Sequence, residues 1–234
     1  MNFQAFDLPQ LRARQSRKWR SYPEDVIPAW IADMDFPIAA AIQHELERIV
    51  ATNDYGYPGR PPKDDPVFDI FAERALARFG WVVDPWRMEC LVDVVQGIYL
   101  ALQLYSEPGD GVVILTPSYP PFLHAAKDTG RTAVCHTLSV GAEGEYEIDF
   151  ERLANTIDAR TRILLLCSPH NPTGRVWRRA ELEALADLAL RHDLIVLADE
   201  IHADLVYPGN RHMPFATLGP EIESRTITFT RRLL

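Results

Sequence analysis

Residues 194–204, L-I-V-L-A-D-E-I-H-A-D, join a short apolar run to a cluster of carboxylates and a histidine. An apolar run of this length, with β-branched residues in its centre, predicts a strand that is buried on both faces, as in a parallel sheet. Open α/β sheets bind ligands just beyond the carboxyl ends of their strands. Asp199 therefore stands where a ligand is expected, and a buried carboxylate at that place needs a cationic partner.

Outward from this strand, short apolar runs alternate with helical patterns along most of the chain. This alternation predicts a three-layer αβα fold with a mostly parallel sheet. Asp65 and Pro66 have the residue types that favour a helix N-cap and first helical position. The predicted strands are 90–95, 112–115, 132–138, 162–167, 194–198 and 225–230, and further helices are predicted at 38–50, up to about 105, and at 121–129, 150–157 and 179–192.

The N-terminal part of the chain has a different pattern. Residues 1–30 are polar and aromatic without clear periodicity, which predicts an extended arm. In the helix that follows, Ile42, Leu46, Ile49 and Val50 fall on one face. We expect one region at 1–60, with this arm and helix, and an α/β domain at 61–234.

Composition and charge exclude several classes of protein. The chain has 234 residues, is 47% hydrophobic and 24% charged, and carries a formal net charge of −9. It has no basic run, so nucleic acid is not an expected partner. No apolar run is long enough to cross a bilayer and no signal-peptide core is present, which predicts a cytoplasmic protein without membrane contact. Cys90, Cys135 and Cys167 stand singly in apolar stretches, so we interpret them as reduced core thiols.

A second polar stretch follows the strand predicted at 162–167. Residues 168–174, S-P-H-N-P-T-G, contain two prolines and a glycine that restrict the backbone around Asn171. The Asn171 amide would then be held rigidly at the carboxyl end of the sheet. A plain strand-to-helix turn is the alternative for this stretch taken alone.

With these motifs the chain resembles the fold type I pyridoxal 5'-phosphate (PLP) enzymes of the class I/II aminotransferase family. Within that family it is most similar to the MalY/PatB-like carbon–sulfur β-lyases of the cystathionine β-lyase type. Six motifs carry the resemblance and together extend over nearly the whole chain. The two at 167–177 and 199–207 are the most specific. The six motifs are A-D-M-D-F-P at 32–37, Y-G-Y-P at 55–58, E-P-G-D at 107–110, P-S-Y-P-P-F at 117–122, C-S-P-H-N-P-T-G-R-V-W at 167–177 and D-E-I-H-A-D-L-V-Y at 199–207.

The resemblance implies PLP as the cofactor and assigns roles around its ring. Asp199 matches the aspartate that pairs with the pyridine nitrogen of the cofactor. The protonated nitrogen would then be the cationic partner that a buried Asp199 carboxylate needs. Asn171 matches the residue that hydrogen-bonds the phenolic oxygen, and His202 stands where many relatives have a tyrosine near that oxygen. A surface or capping histidine is the alternative for His202. A metal site at Asp199, Glu200 and His202 is disfavoured because no other residues supply ligand spacing, so no metal is expected.

The resemblance also implies contacts to the ring face and the phosphate. Tyr119 matches the aromatic residue that stacks on the ring, and Val94 and Val95 match the helix start that binds the phosphate through backbone N–H groups. Many relatives have glycine where this chain has Asp93, so either Asp93 points away or phosphate binding is weakened. Tyr57 matches a tyrosine that reaches the phosphate of a neighbouring subunit in a homodimer; a locally packed loop aromatic is the alternative. The resemblance further implies that the arm and helix of residues 1–60 contribute to a small domain and to dimer contacts.

The largest departure from the family concerns the Schiff-base lysine. Relatives carry it in a serine-rich turn, about S-x-S-K-x-F, after the strand that corresponds to 225–230, where this chain has T-F-T-R-R-L-L. Lys18, Lys63 and Lys127 all belong to other segments, and arginine cannot replace lysine in this chemistry. The resemblance thus implies a fold type I major domain that is incomplete at the C-terminus, and no catalytic residue is assigned.

Three functions remain open from the sequence. The first is a PLP-dependent carbon–sulfur β-lyase acting by α,β-elimination on a small sulfur amino acid, with this chain as an inactive fragment. The second is a class I/II aminotransferase, because the fold and the ring contacts are shared. The third is a non-catalytic scaffold, which the missing lysine favours. The motifs at 32–37 and 199–204 favour the lyase.

Overall fold

The structure, a computed structural model, describes residues 6–57 and 65–231. The chain divides into two compact units, of residues 1–59 and 60–233. The roles expected for residues 1–60, in a small domain and in dimer contacts, stay predictions. Lys63, Pro58 of the Y-G-Y-P motif and residues 232–234 lie outside the described residues.

The N-terminal unit contains helices where an extended arm was predicted, so that prediction is wrong for residues 8–13 and 17–20. Helix α1, Leu8–Ala13, forms because the Asp7 side chain accepts the Gln10 N–H at 2.8 Å and the Gln10 side chain bonds back to Asp7. This reciprocal cap is a local signal that hydrophobic periodicity does not detect. A short helix α2, Arg17–Arg20, and the predicted helix α3, Ala40–Thr52, follow.

Asp35 of the A-D-M-D-F-P motif organises this unit. Lys18 is buried and its Nζ donates to Asp35 at 2.7 Å and to the Asp33 carbonyl at 2.6 Å, while Trp19 Nε1 donates to Asp35 at 2.8 Å. Burial acts to raise the pKa of Asp35, but the bonds from Lys18 and Trp19 outweigh it and lower that pKa below its usual value. The motif therefore ties the chain before α3 to α2.

The second unit is built on a parallel sheet of five strands in the order β2-β1-β5-β6-β7. All its pairings are parallel, and the strand predicted from residues 194–198 is its fourth member. A separate antiparallel pair, β3 and β4, was not predicted because two-residue strands have no periodicity to detect. The strands are β1 Gly111–Thr116, β2 Thr132–Thr137, β3 Ser139–Val140, β4 Tyr146–Glu147, β5 Thr161–Cys167, β6 Ile195–Asp199 and β7 Thr226–Phe229.

Helices cover both faces of this sheet and confirm the three-layer αβα prediction. One core cluster joins the sheet to α5 and α6, and we call this side the α5 face; the other joins it to α7 and α8, and we call it the α8 face. Asp65 caps α4, as predicted, by accepting the Val67 N–H at 2.9 Å. The helices are α4 Pro66–Phe79, α5 Val94–Tyr105, α6 Pro120–Asp128, α7 Phe150–Thr156, α8 Arg179–Arg191 and α9 Pro220–Glu223, with 3₁₀ turns at Pro85–Arg87 and Phe215–Leu218.

The strand predicted at 90–95 is wrong. Residues 90–93 have no regular secondary structure, and α5 begins at Val94. A strand exists only through hydrogen bonds to a neighbour, and in the described residues β7 is the outer strand of the sheet, with no further strand beside it. The apolar run at 90–95 therefore has no neighbouring strand with which to form hydrogen bonds.

The core-thiol prediction is correct for Cys167 and wrong for the other two cysteines. All three are free, but Cys90 and Cys135 are exposed. Cys135 lies on β2, the other outer strand of the sheet, where one face is less covered. Likewise the predicted apolar face of α3 is largely uncovered within its own unit, with Leu46 and Val50 exposed.

Candidate functional site

Asp199 ends β6 at the carboxyl edge of the sheet and points to the α5 face. Side chains alternate along a strand, and Leu197, two residues earlier, belongs to the core cluster of that face. Asp199 is only 5% exposed, and one of its oxygens accepts the Ile201 N–H at 3.1 Å. Burial raises the pKa of Asp199 to about 6, against the one bond from Ile201 and helped by the charge of Glu200. No cationic side chain of residues 6–57 or 65–231 pairs with it.

Cys167 connects Asp199 to Asn171. Cys167 ends β5 directly opposite Asp199 in the parallel register, and its Sγ accepts the Asn171 N–H at 3.4 Å. Burial, followed by the nearby charge of Asp199, raises the pKa of the Cys167 thiol to about 12. The thiol is thus protonated and unreactive, and it lies beside both Asp199 and the backbone of Asn171.

The loop that carries Asn171 is held rigidly, as the prolines and glycine predicted. The His170 N–H donates to the Arg175 carbonyl at 2.7 Å, and Gly174, with φ +72°, donates back to the His170 carbonyl at 2.7 Å. Arg175 in turn pairs with Glu181 at 2.6 Å, near the start of α8. The Asn171 side-chain amide itself is half-buried and makes no hydrogen bond within the described part of the chain. It is therefore a fixed and free hydrogen-bonding group.

The N-terminus of α5 lies at the same edge and on the same face. Phe229, opposite Asp199 in register, packs so closely on α5 that a Cβ at Gly97 would come within 2.7 Å of its ring. Val94 and Val95 are the first two residues of α5, where N–H groups have no intrahelical acceptor. No acceptor for either N–H is found in the described residues. Asp93 precedes them as the N-cap.

Tyr119 lies at the start of α6 on the α5 face. It follows β1, the strand beside β5, and its ring stands edge-on to Phe122 at a centroid distance of 5.6 Å. Phe122 is in the α5-face core, so Tyr119 is anchored on one side while 37% of its surface stays exposed. The exposed part is a flat aromatic surface at the carboxyl edge.

The other two carboxylates of 199–204, Glu200 and Asp204, bind partners away from Asp199. Glu200 points to the opposite face, where it pairs with His212 at 2.9 Å and accepts the Phe215 N–H at 2.7 Å. Asp204 pairs with Arg74 at 2.5 Å and anchors α4. His202 lies in the turn after β6, where burial and then the charge of Arg231 lower its pKa, which favours a neutral imidazole. In the described residues no group of His, Cys, Asp and Glu is arranged to hold a metal ion.

Six of the predicted site residues thus lie in the second unit, at the carboxyl edge of its sheet or in the segments next to it: Val94, Val95, Tyr119, Asn171, Asp199 and His202. Tyr57 belongs to the N-terminal unit, where its side chain is fully exposed. No helix in the described part of the chain is long and apolar enough to cross a bilayer.

A parallel sheet with helices on both faces and polar residues at its carboxyl edge places the chain among the α/β proteins that bind ligands at that edge. A comparison with protein families identifies the family. The model of the family described as "Aminotransferase class I and II" matches residues 85–230 of this chain. The chain belongs to the class I and II aminotransferase family. Its fold is that of the PLP transferases of fold type I, as the sequence analysis predicted.

Within this family, the chain is similar to several individual proteins of known name or structure. The chain is 37% identical over 220 residues to cystathionine beta-lyase PatB of Bacillus subtilis, covering 92% of this chain and 56% of the relative. It superposes with a TM-score of 0.90 and 31% identity on a PLP-bound putative aminotransferase from Clostridium difficile, covering 98% and 59% of the two chains. Cystalysin from Treponema denticola, whose structure contains PLP, gives a TM-score of 0.86 at 32% identity, with 94% and 57% covered. The chain thus spans little more than half the length of these relatives.

Proposed function

We propose that this chain forms the cofactor-binding part of a PLP-dependent carbon–sulfur β-lyase of the cystathionine β-lyase type. The observation that carries the proposal is the buried Asp199 carboxylate, which has no cationic partner in the described residues. Burying a charge without a counter-charge is unfavourable, so the site is built for a cation that binds from outside. The protonated pyridine nitrogen of PLP supplies such a cation.

The other residues fit the remaining parts of the cofactor. The free N–H groups of Val94 and Val95 would bind the phosphate at the positive end of α5. The Asn171 amide would donate to the phenolic oxygen, with His202 on the same side, and the exposed face of Tyr119 would stack on the ring. When bound, the protonated ring accepts the electron pair that a substrate releases at its α-carbon. Asp199 would hold the proton at the ring nitrogen.

The substrate, the assembly and the location of the whole protein are further parts of the proposal. We propose a small sulfur amino acid such as cystathionine as the substrate, a homodimer in which Tyr57 reaches the partner's phosphate, and a location in the cytoplasm. The cystathionine β-lyase of Bacillus subtilis supports the lyase. The PLP-bound putative aminotransferase of Clostridium difficile supports an aminotransferase as the second candidate. Release of pyruvate from cystathionine separates the two activities, because transamination leaves the carbon–sulfur bond intact.

Binding of pyridoxamine 5'-phosphate tests the site in this chain. This form of the cofactor has no aldehyde, so surface lysines do not trap it. We expect calorimetric titration at pH 7.5 to give saturable one-to-one binding and Asp199→Asn to weaken it about tenfold or more, because the neutral amide leaves the ring cation unpaired. Asp187→Asn, which removes an exposed carboxylate from α8, is the matched control and should bind like the parent. Equal affinity of the parent and Asp199→Asn would contradict the proposed role of Asp199.

We further expect no single lysine of this chain to carry bound PLP. The amine of Lys18 is occupied by the Asp33 carbonyl and the Asp35 carboxylate, and Lys127 lies in the last turn of α6, away from its N-terminus at the site. After incubation with PLP and reduction with borohydride, peptide mass mapping should show only weak and scattered labelling. Stoichiometric labelling of one lysine would refute the interpretation of this chain as lacking the catalytic lysine.

A further inference from the structure

Asp93 uses the same helix end that the proposed site offers to a phosphate. Its carboxylate accepts the Gln96 N–H at 2.7 Å and so occupies one of the free N–H groups in the first turn of α5. The Gln96 side chain accepts the Val92 N–H at 3.2 Å, which ties the segment before the helix to the same turn. Asp93 therefore points at the helix end, and the alternative that it points away is excluded by this geometry.

The position of α5 prevents the helix end from moving away from Asp93. Gly97, one turn into the helix, is in close contact with Phe229 and Leu91, and even a single added carbon would meet both side chains within 3 Å. The N–H groups of Val94 and Val95 thus remain next to the Asp93 carboxylate. An anion bound to them would lie close to the negative charge of Asp93, which is an exposed residue, so solvent moderates the repulsion.

We propose that Asp93 is a specificity-determining residue that weakens the phosphate contribution to cofactor binding, an inference that rests on the proposed function. The phosphate and the Asp93 carboxylate would both be stabilised by the partial positive charge at the N-terminus of α5. The carboxylate satisfies one N–H group in advance, and its charge opposes the dianion at the remaining two. The site consequently gains less from a phosphate group than an uncapped helix end would, and its selectivity for phosphorylated over unphosphorylated vitamers is reduced.

Asp93→Asn tests this inference without removing the helix cap, because asparagine is as good an N-cap residue as aspartate. The ligands are pyridoxamine 5'-phosphate and pyridoxamine, which differ only in the phosphate. At low ionic strength we expect the variant to bind pyridoxamine 5'-phosphate about tenfold more tightly than the parent, with pyridoxamine unchanged. The gain should shrink in about 0.5 M salt, because the repulsion is screened.

Asp149→Asn is the matched control. Asp149 caps α7 through the N–H of the third helical residue, Arg152, at 2.9 Å, but α7 packs on the α8 face. This variant should bind both ligands like the parent. The inference is overturned if Asp93→Asn binds pyridoxamine 5'-phosphate no better than the parent, or if it improves both ligands equally. Failure of the proposed function gives a different result, namely that neither ligand binds to the parent or to Asp93→Asn.

Discussion

Asp199→Asn is expected to raise the free energy of unfolding of the ligand-free chain by about 2 kcal/mol at pH 8. The folded chain holds the Asp199 carboxyl with a pKa of about 6, against 3.8 for an ordinary aspartate. The folded state therefore binds this proton more tightly than the unfolded state. As pH rises from about 4 to above 6, the contribution of Asp199 to stability falls, and it stays low at higher pH. Asparagine keeps the acceptor for the Ile201 N–H and carries no charge.

Urea unfolding of the parent and the variant at pH 4.5, 6 and 8 measures this effect. His170 is also buried, and its burial lowers its pKa to about 4, so its contribution changes with pH in the opposite direction. The quantity to follow is therefore the difference between the two proteins, in which His170 cancels. We expect a small difference at pH 4.5 and the largest one at pH 8. A variant that is less stable than the parent at pH 8 would show that Asp199 already has a counter-charge in the folded chain.

The stabilisation by Asp199→Asn and its expected loss of ligand binding have the same cause. A carboxylate that is costly in the free chain becomes favourable when a cation binds beside it, since the bound cation compensates the burial of the charge. Structural residues show the opposite combination, in which removal costs stability and leaves ligand affinity unchanged. The combination of both measurements on one variant therefore distinguishes a ligand-binding carboxylate from a structural one.

Glu200→Ala is expected to lower the free energy of unfolding by about 3 kcal/mol. Glu200 is 2% exposed, and its two oxygens bind His212 Nε2 at 2.9 Å and the Phe215 N–H at 2.7 Å. Both partners are buried, so alanine leaves them without acceptors. The segment between β6 and the 3₁₀ turn at Phe215–Leu218 loses its link to the end of the strand.

Glu200→Gln is the matched control for this prediction. Glutamine fills the same volume and keeps a carbonyl oxygen for one of the two donors, so we expect it to cost less than half as much as alanine. Equilibrium unfolding in urea measures both variants at pH 7.5, and binding of pyridoxamine 5'-phosphate to each should match the parent. A loss below about 1 kcal/mol for Glu200→Ala would show that the buried pair is replaced by water.

Adjacent carboxylates at 199 and 200 illustrate what a sequence pattern can and cannot separate. The pattern places both at the end of a buried strand, and neighbouring side chains of a strand point to opposite faces. Which face lies against the start of α5 and which against His212 depends on how the helices pack on the sheet. Asp199 thus lies on the α5 face without a cationic side chain beside it in the described residues, whereas Glu200 meets two donors.

Local signals determined most of the α/β unit from the sequence alone. Short apolar runs predicted β1, β2, β5, β6 and β7 to within one or two residues, and Asp65 with Pro66 predicted the start of α4. The motifs around Asn171 and Asp199 carried the resemblance to the family, and they predicted polar groups at the ends of strands. These features depend on residues that are close together in the chain. They can therefore be predicted without knowing which residues they pack against in the folded structure.

Tertiary structure alone decided the features that depend on residues distant in the chain, such as strand pairing and burial. The apolar run at 90–95 looks like a strand, yet it has no neighbour to pair with and stays irregular. Cys135 looks like a core residue, yet β2 is an outer strand. The sequence marked Asp199 as a carboxylate in need of a cation, and the fold added that Asp93 caps the helix end at the same edge. The direction of a charge and the surface it faces are set by packing across the sheet, which no local pattern contains.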